Sequence, residues 1–369
     1  MKTENTSDRT RNLSMDILRL IACLMVITLH VTADLFYNPW SSDMTVMAVY
    51  YCLSAGAVPL FFMMSGAFSN NTSISKSLRK ILYFFILFVI FKCLYDVWDL
   101  FIENNLSFSA LYYEKRITDL TIHKYHLWYI PEYMMVLLAA PVINSAAKQN
   151  KKIPAFLSVL FILYTILLPS SSAITLPGGI RTNPIEAILE ALPVNITLGI
   201  GYFCIGKTVY NFIREKEEFL KKRKTALFAV IAFWIIIIIL MSYITIARSI
   251  SVGAFDDTKI LRETWLVFFS NVPLFAIFCM IPIYSKGKTK EHRIVSALIP
   301  CTLYIYLIHP LFAELYRHLG LNSLSFCPAL SVPVLDILVL IPSLVFAVIA
   351  LAIHRALKKL LPSDHHVSS

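Results

Sequence analysis

The sequence predicts an all-α protein: a polytopic membrane bundle of about ten transmembrane helices, with both termini in the cytoplasm. Three observations predict it. Apolar residues fill 57% of the 369 positions and charged ones only 15%, where a soluble domain carries roughly a quarter charged residues. Runs without a charged residue, such as Thr225–Ala247, Met44–Ser75 and Ile294–Ala313, reach the ~20 residues that cross a hydrocarbon core. Lysine and arginine gather in short clusters between these runs.

The ten spans read 14–36, 45–68, 78–102, 127–147, 153–170, 190–212, 225–247, 263–284, 294–317 and 332–354. The first is apolar yet holds Asp16, Arg19, His30 and Asp34. The second carries Pro59 and then Ser65-Gly66, either the lining of a cavity at an interrupted helix or plain small-residue packing. The third opens on Lys76, Arg79 and Lys80 and carries Lys92, Asp96 and Asp99 at i, i+4 and i+7. That spacing forms one polar stripe, read first as a structural ion pair.

The fourth begins at "HLWYIP", with Trp128 and Tyr129 read most simply as an interfacial aromatic belt. Glu132 follows Pro131 as a favourable acid in a first helical turn. In the sixth, Gly199, Gly201 and Gly206 fit close helix packing; no strand precedes them, so a dinucleotide fingerprint is excluded. The ninth carries His309 directly before Pro310, where a kink is expected.

Orientation follows from basic charge. With the N-terminus inside, 22 of the 33 lysines and arginines fall in cytoplasmic segments and 8 on the far side, which places both termini in the cytoplasm. The domain reading is a tail over 1–13, a membrane domain over 14–354 and a tail over 355–369. The first thirteen residues lack a signal-peptide layout, so the first helix is expected to stay in the mature chain. The net charge of +10 belongs to these topological clusters and to an anionic bilayer surface rather than to a nucleic-acid partner. Seven cysteines are scattered singly, with no spacing that suggests a metal site or a disulfide frame.

The polar residues of the first span carry the functional argument. Arg19 and His30 are eleven residues apart, so on a helix they face within roughly 20° of each other, about 16 Å apart along the axis. Asp16 and Asp34 stand three and four residues from their basic neighbours and can pair with them. One reading is that Arg19 snorkels to the surface and His30 makes an interhelical hydrogen bond. The other is a bifunctional stripe, in which Arg19 holds an anion at the cytoplasmic face and His30 moves protons deeper in the membrane.

Arg19, ten residues, then His30, within "MDILRLIACLMVITLH", resembles the first-helix signature of the membrane-bound acyltransferase 3 family. "VPLFFMMSG" (58–66), "HLWYIP" (126–131) and "LYIYLIHPLF" (303–312) are similar to three further segments of that family, in the same order. Together they cover the chain from about 14 to 354. The resemblance implies transfer of an acyl group, usually acetyl, from cytoplasmic acyl-CoA to a hydroxyl of an envelope or exported glycan.

On that reading His30 is the base and Arg19 grips the phosphates of coenzyme A. Lys76 and Arg79 are a second grip, or only a topological signal. Asp34 fixes the His30 tautomer, or is a surface residue at the helix exit. Ser65, His126, Trp128 and His309 are the substrate-side candidates; His126 reads equally as loop and His309 as a packing histidine. Acyl-CoA is a co-substrate, with no bound cofactor and no metal, and a plasma-membrane location is expected. The competing reading is a transporter or flippase for a small metabolite or glycan precursor, or a membrane domain of the kind joined to amino-acid racemases in glycopeptide resistance. Against transport, no repeat between halves and no matched pair of broken helices is visible. A structural scaffold leaves the Arg19–His30 pair unexplained.

Overall fold

The computed structural model describes residues 11–35, 44–69, 72–102, 125–163, 197–215, 223–253, 255–257, 264–281, 283–285, 290–321 and 328–360. Its helices are α1 (Leu13–Leu35), α2 (Met44–Ser54), α3 (Ala57–Phe68), α4 (Ile74–Ile102), α5 (Tyr129–Gln149), α6 (Ile153–Phe161), α7 (Leu198–Glu215), α8 (Arg223–Val252), α9 (Trp265–Met280), α10 (Lys290–Leu298), α11 (Thr302–His318) and α12 (Pro328–Leu360). A 3-10 turn, Tyr125–Trp128, leads into α5, and another, Ile299–Cys301, leads into α11. The only strands among the described residues are the two-residue pieces β1 (Arg11–Asn12) and β2 (Tyr284–Ser285), paired antiparallel.

Seven stretches are long and apolar enough to cross a membrane: Leu13–Thr32, Thr45–Phe68, Ile74–Asp99, His126–Gln149, Arg223–Val252, His292–His318 and Ala329–Ala356. They match seven of the ten expected spans. At the other three positions the described helices are short (α6 and α9) or interrupted by charge (α7, with Lys207, Arg214 and Glu215). The expected span over 45–68 is a broken one, because the helix stops at Ser54 and restarts at Ala57. At the break the side chain of Asn271 occupies the space beside Gly56 that a Cβ would need.

α1 is the centre of the bundle. It touches α2, α3, α9, α10, α11 and α12, and Leu18, Ala22 and Ile27 are wholly buried. Its start is clasped to the segment after α9: Leu13 donates its amide to the Ile283 carbonyl at 2.8 Å, and Ser14 Oγ accepts the Ile283 amide at 2.8 Å. Asp16 lies in the first turn, where a carboxylate suits the helix dipole. By contrast, α8 and α12 turn Phe228, Ile236, Ile239, Ile341 and Val345 outward, an inversion of soluble-protein order that suits lipid contact. This is the build of a multi-pass membrane protein.

Glycine sets the closest approach. A Cβ on Gly66 would lie 1.9 Å from the Phe203 carbonyl oxygen, and one on Gly206 would lie 2.1 Å from that of Met63. α3 and α7 thus meet backbone to backbone, as small residues in membrane helices allow.

Candidate active site

α1 and α11 run side by side in the same direction, because Arg19 shares a cavity with Thr302 and Tyr306 while His30 meets His309. The cavity at the Arg19 end is about 200 Å³. Arg19, Ser65, Phe84, Tyr129, Tyr133 and Tyr306 line it, so it combines one guanidinium with phenol hydroxyls and aromatic walls. Asp16 Oδ1 lies 3.9 Å from Arg19 Nη1, the i,i+3 pairing expected from the sequence. Arg19 thus pairs with Asp16 and also lines the cavity.

Three histidines assemble beyond this cavity. The ring of His30 lies 5.0 Å from that of His309 and 6.3 Å from that of His126, and His126 and His309 are 5.9 Å apart. They come from α1, the turn before α5, and α11. Tyr95 of α4 packs edge-on against His126 at 4.9 Å and donates its hydroxyl to the Leu307 carbonyl at 2.8 Å. Tyr306 joins the two regions. Its ring lines the Arg19 cavity, its hydroxyl donates to the His126 carbonyl, and its own carbonyl accepts from His309 Nδ1 at 2.7 Å.

The arrangement offers an anion-binding guanidinium at one end and a cluster of imidazoles further along the same helix pair. Imidazole is the side chain suited to taking a proton from a hydroxyl near neutral pH. A model of the acyltransferase domain that defines the acyltransferase 3 family matches residues 12–353. The chain belongs to the acyltransferase 3 family. Comparison with curated proteins and with solved structures gives no match.

Within the acyltransferase 3 domain, the structure brings Arg19 and Ser65 together at the cavity, and His30, His126 and His309 together in the cluster. Ser65 and Gly66 divide the two roles left open by the sequence: Ser65 lines the cavity, while Gly66 is buried against α7. Lys76 and Arg79 are exposed on the first turns of α4, outside the cavity lining. Lys80 stands one turn before Phe84, which does line it. Trp128 is half-buried at the start of α5 and does not line the cavity. Asp34 lies in the last turn of α1, and its side chain falls outside the described residues, as do the expected acceptor-side residues Tyr112, Tyr113, Arg116, Arg181 and Asn183.

Two readings are corrected. Tyr129 is no belt residue: it is buried, with Phe62 at 5.1 Å, Tyr133 at 5.6 Å and Tyr306 at 5.1 Å. Cavity walls and interfacial belts both use aromatic rings, so only packing tells them apart. His126 is no open loop but 3% exposed in a helical turn. Glu132 acts beyond its own helix, accepting the Gly199 amide at 2.7 Å and so capping α7. The Lys92–Asp96 pair forms at 2.9 Å, as its spacing predicts.

Sequence reasoning missed Tyr306 and Tyr95. Tyr306 lies inside "LYIYLIHPLF", three residues before His309, on the same helical face. Nothing in the sequence singles out Tyr95.

Proposed function

We propose that this membrane acyltransferase is an O-acyltransferase moving an acyl group, acetyl in the first instance, from cytoplasmic acyl-CoA to a hydroxyl of an envelope or exported glycan. The observation that carries the reading is the placing of Arg19 and His30 along one face of α1, against Tyr306 and His309 of α11. Coenzyme A has phosphates at one end and a thioester at the tip of a long arm. Arg19 holds a phosphate with two parallel donors. The arm runs along α1 for the roughly 16 Å that separate eleven helical residues.

His30 takes the proton from the acceptor hydroxyl as its oxygen attacks the thioester carbonyl. The tetrahedral oxyanion needs hydrogen-bond donors beside His30. Collapse breaks the carbon–sulfur bond, and the leaving thiolate takes the proton back from His30. Lys76 and Arg79, at the start of α4, give the donor a second cationic contact at the mouth. His126 and Trp128 stand on the acceptor side, Ser65 lies with Arg19 at the donor cavity, His309 packs beside His30, and the Asp34 carboxylate favours the imidazolium that His30 becomes. Both termini face the cytoplasm, and the host membrane is the plasma membrane.

The test is transfer of labelled acetyl from acetyl-CoA to endogenous glycan by membranes holding the protein. Transfer that disappears in His30→Ala, with the protein still present, is the expected outcome. Full transfer by that variant overturns the role of His30. Substrate counterflow in proteoliposomes without any acyl-CoA would replace the enzyme reading with a transporter.

A further inference from the structure

Pro310 has no N–H, so α11 cannot make the backbone hydrogen bond that would run from residue 310 to the Tyr306 carbonyl. The preceding side chain fills the gap. His309 Nδ1 lies 2.7 Å from the Tyr306 oxygen and 3.2 Å from the Ile305 oxygen. Carbonyl oxygens only accept, so Nδ1 is the nitrogen that carries the hydrogen. In a neutral imidazole the other nitrogen is then an acceptor. The ring is wholly buried, and Nε2 has no hydrogen-bond partner among the described residues.

Buried acceptors are rarely left unpartnered without a use. The ring closest to His309 in the cluster is His30, at 5.0 Å between centroids, with His126 at 5.9 Å. Two imidazoles at the shorter separation need only a small ring rotation to reach a nitrogen-to-nitrogen hydrogen bond of about 3 Å. Such catalytic hydrogen bonds often tighten only when substrate binds.

We infer that His309 is a positioning residue: Pro310 fixes its tautomer through the Tyr306 carbonyl, and its Nε2 accepts an N–H from His30. That contact leaves the other nitrogen of His30 bare and directed away from His309, toward the acceptor hydroxyl. The Pro310 residue thus sets the protonation pattern of two imidazoles through one orphaned carbonyl. The inference rests on His30 as the base; the His309 tautomer does not.

The test uses the full-length protein in nanodiscs with ¹⁵N-labelled histidine, because protonated and bare ring nitrogens resonate far apart. His309 is assigned by its loss in His309→Gln. The expected wild-type spectrum shows His309 protonated at Nδ1 and bare at Nε2. Pro310→Ala returns a backbone donor to Tyr306 and should mix the His309 tautomers. His309→Leu should shift the His30 resonances and lower kcat about a hundredfold, with the KM for acetyl-CoA unchanged. His309→Gln, which keeps an acceptor oxygen near the Nε2 position, should recover at least a tenth of wild-type kcat. A wild-type His309 protonated at Nε2, or His30 resonances that His309→Leu leaves in place, overturns the inference. An absence of acetyl transfer in the wild type overturns the proposed function instead and leaves the spectral test standing.

Discussion

The hydroxyl of Tyr306 donates to the backbone carbonyl of His126. The two residues are 180 positions apart, and this contact ties α11 to the turn that opens α5. It holds the third histidine of the cluster against the other two. The same phenol ring walls the Arg19 cavity. Tyr306→Phe keeps the ring and loses the donor. A buried hydrogen bond of this kind is worth about 1 kcal/mol net and more when its partner is left bare. Acetyl transfer should fall by about tenfold, while the amount of protein in the membrane stays the same; unchanged transfer would show that the His126 turn needs no such tie.

Arg19 tests the grip on the donor. Losing a charged hydrogen bond costs about 1.5–3 kcal/mol, so Arg19→Ala should raise the KM for acetyl-CoA by about ten- to a hundredfold. Arg19→Lys should recover only part of it, because an ammonium cannot present two parallel donors. Steady-state kinetics on membranes across acetyl-CoA concentrations measures both, and equal KM values for Lys and Arg would point to a simple charge requirement.

Gly66 and Gly206 test the backbone seam between α3 and α7. A methyl at either position meets opposing backbone at 1.9 Å or 2.1 Å, and overpacking a tight seam costs about 1–3 kcal/mol or more. Gly206→Ala should therefore lower the thermal midpoint of the detergent-solubilised protein by several degrees. A midpoint equal to wild type would mean that the helices separate freely at this seam.

Glu132 tests the cap on α7. Its carboxylate accepts the Gly199 amide at 2.7 Å, so Glu132→Ala removes a cap worth about 1 kcal/mol. Glu132→Gln retains an acceptor and should lose less. Both variants should keep the wild-type KM for acetyl-CoA. A large KM change in Glu132→Ala would give this carboxylate a role at the donor site.

Much of the site was legible along α1, because helical spacing converts directly into shared faces: Arg19, His30 and the Asp16 pairing all follow from residue numbers. What the sequence hid is what depends on meetings between distant segments. His126 reads as loop until α4 and α11 close over it. Tyr129 reads as a belt residue until Phe62 and Tyr306 enclose it. Glu132 reads as a local first-turn acid, while its partner is 67 residues away. The break between α2 and α3 is also a tertiary matter, since Asn271 of α9 fills the space beside Gly56. Seven of the ten expected spans coincide with long apolar helices among the described residues; α7, read from the sequence within the span over 190–212, carries charge near its end.

The small clasp of Arg11–Asn12 on Tyr284–Ser285 bears on how the bundle moves. Because α1 is anchored at its first residue and surrounded by six helices, it is poorly placed to slide along its own axis like a piston. It is an axle. Such packing favours openings in which the surrounding helices swing about α1 while Arg19 and His30 keep their spacing along it.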